Sequence, residues 1–250
     1  MVNRLLLIFL LLFLSVSCER ENGGVDTGSD TIGNVDSGEV VGDGLFSVSE
    51  ITKVKFAPGN LKPGGHGFTD HQYDLGGLFG WGTGNRPTIT TVDAGSYLGF
   101  YDWGNYNSGG EWRTLSAEEW QYLLFRRDGA MSKYSGGTVW GVHGVVLLPD
   151  NWVLPTGCIF KPRSGWRGNI YDLDQWSKME VAGAVFLPAA GYRWDTDVSF
   201  AGVGGYYWTS STDLPNSAAA SYFCFGEFDA GVENGSRAMG CSVRLVEDKN

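Results

Sequence analysis

The sequence predicts a loop-rich α+β domain with two short helices and short strands. Glycine accounts for 38 of the 250 residues, alongside 10 Trp, 11 Tyr and 14 Phe. Glycine permits the backbone angles of sharp bends, and aromatic side chains supply a large buried area. Few segments keep a helical hydrophobic period for long, and short apolar blocks alternate with polar segments in the last quarter. These features indicate short elements joined by long loops.

The domain is expected to open with one or two strands in 45–58. Phe46 and Val48, and later Val54 and Phe56, alternate there with polar or small residues. Alternation with a period of two is typical of a half-buried strand. The region that follows, 59–99, is expected to be an irregular loop scaffold held by buried aromatic residues.

The clearest helix signal begins at Ser116. Ser116 as N-cap and Glu119 three residues later form the pattern of a capping box. Trp120, Leu123 and Leu124 then recur at helical spacing. We expect these three side chains to face the core.

A second, shorter helix is predicted over Leu173–Val181. Asp172 precedes it as a capping residue, and Trp176 and Met179 lie at a spacing that places both inward. Strand-like or turn segments are expected between the two helices, at 138–142 and 144–148.

The last quarter divides into apolar blocks and polar gaps. We expect the blocks 186–193, 204–211 and 240–246 to form a rigid β scaffold, and the gaps 194–203, 212–218 and 226–239 to be loops. Rigid scaffolds with long loops often present a binding surface. The predicted strands are 184–187, 206–210, 220–225 and 242–246. In the last of these, Val243 and Leu245 project to one face and Arg244 to the other.

The first 17 residues have the organisation of a secretion signal. Arg4 is followed by an apolar run, 5–14, and by small residues before Cys18. Ten apolar residues fall short of the roughly 20 that span a bilayer. Small residues directly before a cysteine resemble the bacterial lipoprotein signal, which implies that Cys18 becomes the lipidated first residue. An ordinary cleaved signal with an incidental cysteine is the alternative.

Residues 18–44 are expected to be a lipidated, disordered acidic linker, and residues 45–250 one domain. No aromatic residue occurs in 19–44, which is rich in Gly, Asp, Ser and Thr, so it cannot bury enough apolar surface to order itself. Glu19 and Glu21 directly after the cysteine resemble the sorting context of surface-exposed lipoproteins. The expected location is therefore the outer membrane or cell surface, with the lipid anchor as the only membrane contact.

Net charge argues against a nucleic-acid partner. The formal charge is −10, whereas binding to phosphates needs clustered Lys and Arg.

The spacing of the cysteines does not match a metal-binding or redox motif. Apart from Cys18, the chain has Cys158, Cys224 and Cys241, without a C-x-x-C pair. Buried free thiols are the main expectation, and a disulfide between Cys224 and Cys241 is the alternative.

Eight blocks in order resemble a family of secreted Bacteroidetes proteins related to the Fibrobacter succinogenes major paralogous domain. They extend from about Phe46 to Val246: KVKFAPGNL (53–61), LFGWGTG (78–84), DWGNY (102–106), EWRTLSAEEW (111–120), LLPDNW (147–152), AGAVFLPAAGYR (182–193), GGYYWTSS (204–211) and GCSVRLV (240–246). The resemblance implies a C-type-lectin-like fold of the formylglycine-generating-enzyme type, with small antiparallel sheets, two short helices and much loop.

Some proteins of this fold group are variable proteins of diversity-generating retroelements, which diversify surface residues on an invariant scaffold. The resemblance implies a corresponding exposed set here: Trp194, Asp195, Asp197, Asp213, Asn216, Ser217, Asp229, Glu233, Asn234 and Ser236.

Motifs for chemistry are sparse. Neither Glu-Pro-Asn nor Gln-Pro-Asp, the calcium-dependent sugar-binding tripeptides of C-type lectins, occurs in the chain. Calcium at Asp213, Asn216 and Asp229, and a surface metal site at His66, Asp70 and His71, are minor alternatives. We expect no cofactor and no catalytic residue.

The leading hypothesis is a non-catalytic cell-surface lipoprotein whose C-terminal loops bind an extracellular protein or glycan. Trp194 is the expected aromatic anchor, because exposed Trp beside small polar residues is typical of binding surfaces. The candidate ligand-binding residues are Trp194, Asp195, Asp197, Asp213, Asn216, Asp229 and Asn234. Tyr206, Tyr207 and Trp208 are expected to be scaffold.

Two other classes stay open from the sequence. A structural component of the envelope, or of a pilus-like assembly, would have its interface in 59–110. An unrecognised enzyme of the formylglycine-generating type would depend on Cys224 or Cys241 and on copper.

Overall fold

Small sheets and two short helices make up the fold, as the sequence predicts. The computed structural model describes residues 43–83, 100–107, 111–212 and 218–249. All of these belong to one compact unit, Glu39–Asn250. Within these ranges the fold is mixed α+β without a closed barrel, and no helix there has the length and apolar character that crossing a membrane requires. The predicted signal segment and Cys18 lie outside the described residues.

The strands are short and connected by turns and irregular segments. They are β1 (Phe46–Ser47), β2 (Lys53–Phe56), β3 (Trp112–Thr114), β4 (Tyr134–Val139), β5 (Val142–Leu147), β6 (Ile170–Tyr171), β7 (Val185–Pro188), β8 (Tyr192–Trp194), β9 (Asp197–Ser199), β10 (Gly205–Trp208), β11 (Ala219–Phe225), β12 (Ala230–Ser236) and β13 (Leu245–Lys249). The helices are α1 (Ala117–Gln121) and α2 (Leu173–Val181).

Both helices begin where their capping residues predict. The Ser116 hydroxyl accepts from the Glu119 N–H, and the Glu119 carboxylate accepts from the Ser116 N–H. α1 continues as a π-helical turn, Tyr122–Arg126, which carries the buried Leu123 and Leu124. α2 has the same reciprocal cap between Asp172 and Gln175.

An antiparallel sheet with the strand order β1-β2-β13-β3 joins the two ends of the described domain. Val246 lies opposite Phe56 on one side and Arg113 on the other. The closing strand thus begins at Leu245, later than the predicted 242–246. Residues before it make isolated bridges, such as Cys241 with Phe79.

Arg244, just before β13, is buried with only 2% of its surface exposed. Its guanidinium donates to the main-chain carbonyls of Ala57 and Phe186. Burial lowers the pKa of Arg244 to about 10, so the side chain stays charged at neutral pH. Its buried hydrogen bonds therefore link segments that are far apart in the chain.

A second sheet, with the order β6-β4-β5-β7, forms the middle of the domain. β4 and β5 are a hairpin whose turn residues, Trp140 and Gly141, have φ values of 48° and 79°. Two-residue hairpin turns with positive φ match the twist of the strands they join. The predicted segments 138–142 and 144–148 correspond to parts of this hairpin.

The C-terminal sheet has the order β10-β11-β12. Its third strand corrects the prediction that 226–239 is a loop, since β12 pairs with β11 along its whole length. The gap 194–203 is likewise not all loop, because β8 and β9 form a hairpin there.

Candidate functional site

A cleft of about 340 Å³ opens on the outer face of the C-terminal sheet. We call it the C-terminal cleft. It lies between the turn at 200–204 and the strands β11 and β12, and the side chains that matter for its chemistry are Phe200, Val203, Tyr206, Cys224, Asp229 and Glu233. Its volume is at the lower end of the range of about 300–1,000 Å³ that is typical of small-ligand pockets.

Strand alternation separates the cleft from the core. Tyr207 of β10 and Phe223 of β11 lie opposite each other and face the core, where both are buried. Tyr206 and Cys224, the next opposite pair, lie on the other face, where Tyr206 packs against a second buried cluster and both residues line the cleft. The sequence block GGYYWTSS thus supplies both scaffold and cleft. Tyr207 and Trp208 are scaffold as predicted, whereas Tyr206 lines the cleft.

Glycine on β12 keeps the floor of the cleft open. Gly231 lies directly opposite Cys224, and a Cβ added at Gly231 would meet no other atom within 4 Å. The Cys224 side chain is partly exposed.

Two aromatic residues of the lining, Phe200 and Tyr206, belong to a row of rings in mutual contact. Phe200 stacks on Tyr192 with ring centroids 5.9 Å apart, and Tyr192 meets Tyr206 edge-on at 5.0 Å. Tyr206 in turn contacts Tyr222 at 5.8 Å. Such stacked and edge-on pairs are favourable arrangements of aromatic rings, so each ring in the row supports its neighbour.

Phe200 is held in an unusual conformation at the rim of the cleft. Its φ is 59°, a left-handed conformation that is rare for a bulky residue and costs roughly 1–3 kcal/mol. The residue is nevertheless 54% exposed. An exposed aromatic ring kept at a strained position is a feature that points to function rather than to packing.

The turn that carries Phe200 is fixed by contacts on both sides. The Gly202 N–H donates to the Ala189 carbonyl at 2.7 Å, and His143 Nδ1 donates to the Gly202 carbonyl at 2.9 Å. The His143 ring stacks on the buried Trp166. Gly191 packs so closely against this turn that a Cβ would collide with the Ser199 carbonyl.

Two carboxylates border the cleft. Asp229 lies in the turn between β11 and β12, and Glu233 projects from β12 on the same face as Tyr222. Both are exposed, and neither makes an ion pair with the described part of the chain. Burial, and then the charges of Glu233 and Asp229, raise the pKa of Cys224 to about 11. The thiol is therefore protonated at neutral pH and a weak nucleophile.

The predicted site residues are only partly brought together. Asp229 lines the cleft. Trp194, Asp195 and Asp197 lie together at the tip of the β8–β9 hairpin, where Trp194 is opposite Asp197 and 51% exposed. Asp213, Asn216 and Ser217 lie outside the described residues.

Asn234, another predicted site residue, lies on the face of β12 opposite to the one that carries Glu233. It is exposed on β12, but its side-chain carbonyl accepts from the Ser221 hydroxyl at 2.7 Å on the inner face of the sheet. The sequence analysis assigned Asn234 to a loop, in which side chains do not alternate between two faces, so its direction could not be predicted. Once 230–236 is a strand, neighbouring residues point in opposite directions.

Sequence reasoning missed Phe200, Tyr206 and Cys224 as cleft residues. Phe200 did carry a signal, since a large aromatic residue inside a polar gap is out of place in a solvated loop. Tyr206 and Cys224 carried none, because they lie within apolar blocks and only the strand pairing shows which face each occupies.

The described residues of the two alternative metal sites are not arranged as a set of metal ligands. His66 Nδ1 donates to the Tyr106 carbonyl, Asp70 pairs with Lys62 and His71 stacks on Tyr73. Across the described ranges no group of three His, Cys, Asp or Glu side chains could hold a metal ion. Of the three calcium candidates, only Asp229 is described. Cys158, Cys224 and Cys241 are free thiols, without the alternative disulfide.

Comparisons of the chain with protein-family models, with curated proteins and with solved structures gave no match.

Proposed function

We propose that this protein is a non-catalytic, lipid-anchored protein of the cell surface and that its C-terminal cleft, with the aromatic residues around it, binds an extracellular ligand. The observation that carries the proposal is the cleft itself: an open cavity whose lining includes aromatic side chains and two carboxylates without an ion-pair partner in the described part of the chain. Concave sites with an apolar lining and a few placed polar groups are typical of ligand binding.

The neutral Cys224 thiol favours binding over chemistry at this position. Nucleophilic cysteines lie in electropositive surroundings that lower the thiol pKa. Here burial and two nearby carboxylates raise it.

For the fold, we propose the C-type-lectin-like type with formylglycine-generating-enzyme topology. Support comes from the eight sequence blocks and from the combination of two short helices, short antiparallel strands and long irregular segments. A role as a variable protein of a diversity-generating retroelement belongs to the same proposal. A reverse-transcriptase gene nearby, with a repeat matching the last 60 codons or so, would be the genomic sign of it.

The proposed location rests on the basic and apolar start of the chain, the small residues before Cys18 and the acidic residues after it. Palmitate labelling tests the anchor: the wild-type protein is expected to incorporate label and remain with membranes, and Cys18→Ala to do neither. Equal labelling of the two would contradict the anchor.

Binding itself is tested with the purified full-length protein against a glycan array and a panel of extracellular proteins. We expect a ligand whose binding falls at least ten-fold in Phe200→Ala and in Trp194→Ala. Ile51→Ala is the matched control, because Ile51 is also an exposed apolar residue but lies in the turn between β1 and β2. A ligand that binds all three variants equally would show that the site is elsewhere.

A further inference from the structure

We propose that the C-terminal cleft takes a basic side chain, an arginine or a lysine, presented by an extracellular protein. The inference rests on the proposed binding function and names the chemistry of its ligand.

The first argument is uncompensated charge. Asp229 and Glu233 border one cavity, and among the described residues that line it there is no Lys, Arg or His. Neither carboxylate has an ion-pair partner in that part of the chain. A cleft lined by one sign of charge, with walls of low dielectric, concentrates the field and attracts the opposite charge.

The second argument is the aromatic part of the lining. Phe200 and Tyr206 both line the cleft, and Tyr192 stacks on one face of the Phe200 ring while more than half of the residue remains exposed. A guanidinium or ammonium group within about 6 Å of an aromatic ring centroid is attracted by the ring face. Carboxylates and aromatic rings around one cavity therefore favour a cation with an apolar stem.

The third argument is size and access. A cavity of about 340 Å³ suits one side chain better than a branched oligosaccharide. β12, which carries Glu233, pairs with β11 alone among the described strands. An edge strand offers main-chain hydrogen bonds to a polypeptide that lies alongside it. The neighbourhood of the cleft thus suits a protein ligand.

The test titrates the full-length protein with Nα-acetyl-arginine amide and with its neutral isostere, Nα-acetyl-citrulline amide, followed by NMR. We expect the arginine derivative to bind at least ten-fold more tightly and its affinity to fall as salt rises from 50 to 500 mM, because charge pairs at a surface are screened. Equal affinity for the two compounds would overturn the inference.

Variants locate the site. The double change Asp229→Asn and Glu233→Gln is expected to weaken arginine binding at least ten-fold with an unchanged thermal transition. Asp128→Asn is the matched control, since Asp128 is an exposed carboxylate outside the cleft lining. Unaltered binding in the double variant would also overturn the inference.

A failure of the basic-ligand inference can be distinguished from a failure of the proposed binding function. A neutral glycan that binds in the cleft and is lost in Phe200→Ala would refute the basic ligand while supporting the binding function. No ligand of any class in the array and protein panel would count against the binding function itself.

Discussion

Glu233 and Asn234 are neighbours on β12, yet their side chains lie on opposite faces of the C-terminal sheet. Glu233 borders the cleft beside Tyr222, and Asn234 accepts a hydrogen bond from Ser221 on the other face. We therefore expect different roles for these two adjacent polar residues, one in binding and one in stability.

This relationship predicts opposite effects of two substitutions. Asn234→Ala removes the bond to the buried Ser221 hydroxyl and is expected to lower the free energy of unfolding by about 1 kcal/mol, with ligand binding unchanged. Glu233→Gln is expected to weaken binding with stability unchanged. Urea unfolding and ligand titration of both variants check this. Loss of binding in Asn234→Ala without loss of stability would place Asn234 at the site after all.

We expect the rate of Cys224 alkylation to depend on pH in an unusual way. Its pKa of about 11 means that thiolate, and so the rate of reaction with iodoacetamide, should keep rising beyond pH 10, where an ordinary thiol with a pKa of about 8.5 has levelled off. Mass spectrometry of the modified peptide gives the rate at each pH. Cys241, fully buried, should remain unmodified in the folded protein.

The same profile reports on the carboxylates. Their negative charge disfavours the thiolate, so Asp229→Asn with Glu233→Gln should move the profile to lower pH. It should remain above that of an exposed cysteine, because burial is the larger cause of the raised pKa. An unshifted profile would mean that the two carboxylates do not act on the thiol.

Two substitutions at Phe200 separate its ring from its backbone. Phe200→Ala loses the stack on Tyr192 and keeps the left-handed conformation. Phe200→Gly loses the stack but removes a backbone cost of roughly 1–2 kcal/mol. We expect the glycine variant to be about 1 kcal/mol more stable than the alanine variant by denaturant unfolding, and both to bind poorly. Equal stability would mean that the backbone at this position carries no strain.

Arg244 is predicted to be among the most sensitive positions of the core. Arg244→Met leaves the Ala57 and Phe186 carbonyls without their donor and should cost about 3 kcal/mol. Arg126→Met is the control, since its partner is the exposed Glu118 and an exposed pair contributes about 0–1 kcal/mol. Similar losses of stability in the two variants would mean that the buried hydrogen bonds of the Arg244 guanidinium do not stabilise the fold.

What the sequence could predict was local. Ser116 with Glu119, and Asp172 before Leu173, mark the helix starts because a capping box is made by residues within one turn. The alternation in 45–58 likewise identifies β1 and β2.

What the sequence could not predict depended on distant partners. β12 reads Ala-Gly-Val-Glu-Asn-Gly-Ser, residues with low strand preference, and it is a strand because β11 supplies the pairing. The burial of Arg244 depends on carbonyls from two remote segments. The cleft has the same origin, since Phe200, Cys224 and Asp229 meet only after the turn and the sheet have packed.

We expect the sheet that contains β13 to form late in folding, because of where β13 lies in it. It is an inner strand, hydrogen-bonded to β2 on one edge and β3 on the other, although it comes last of the described strands along the chain. While the ribosome is still making earlier residues, β2 and β3 have no strand between them, and their hydrophobic faces stay uncovered. We therefore expect β2 and β3 to join one sheet only when residues 245–249 are available to pair with both of them.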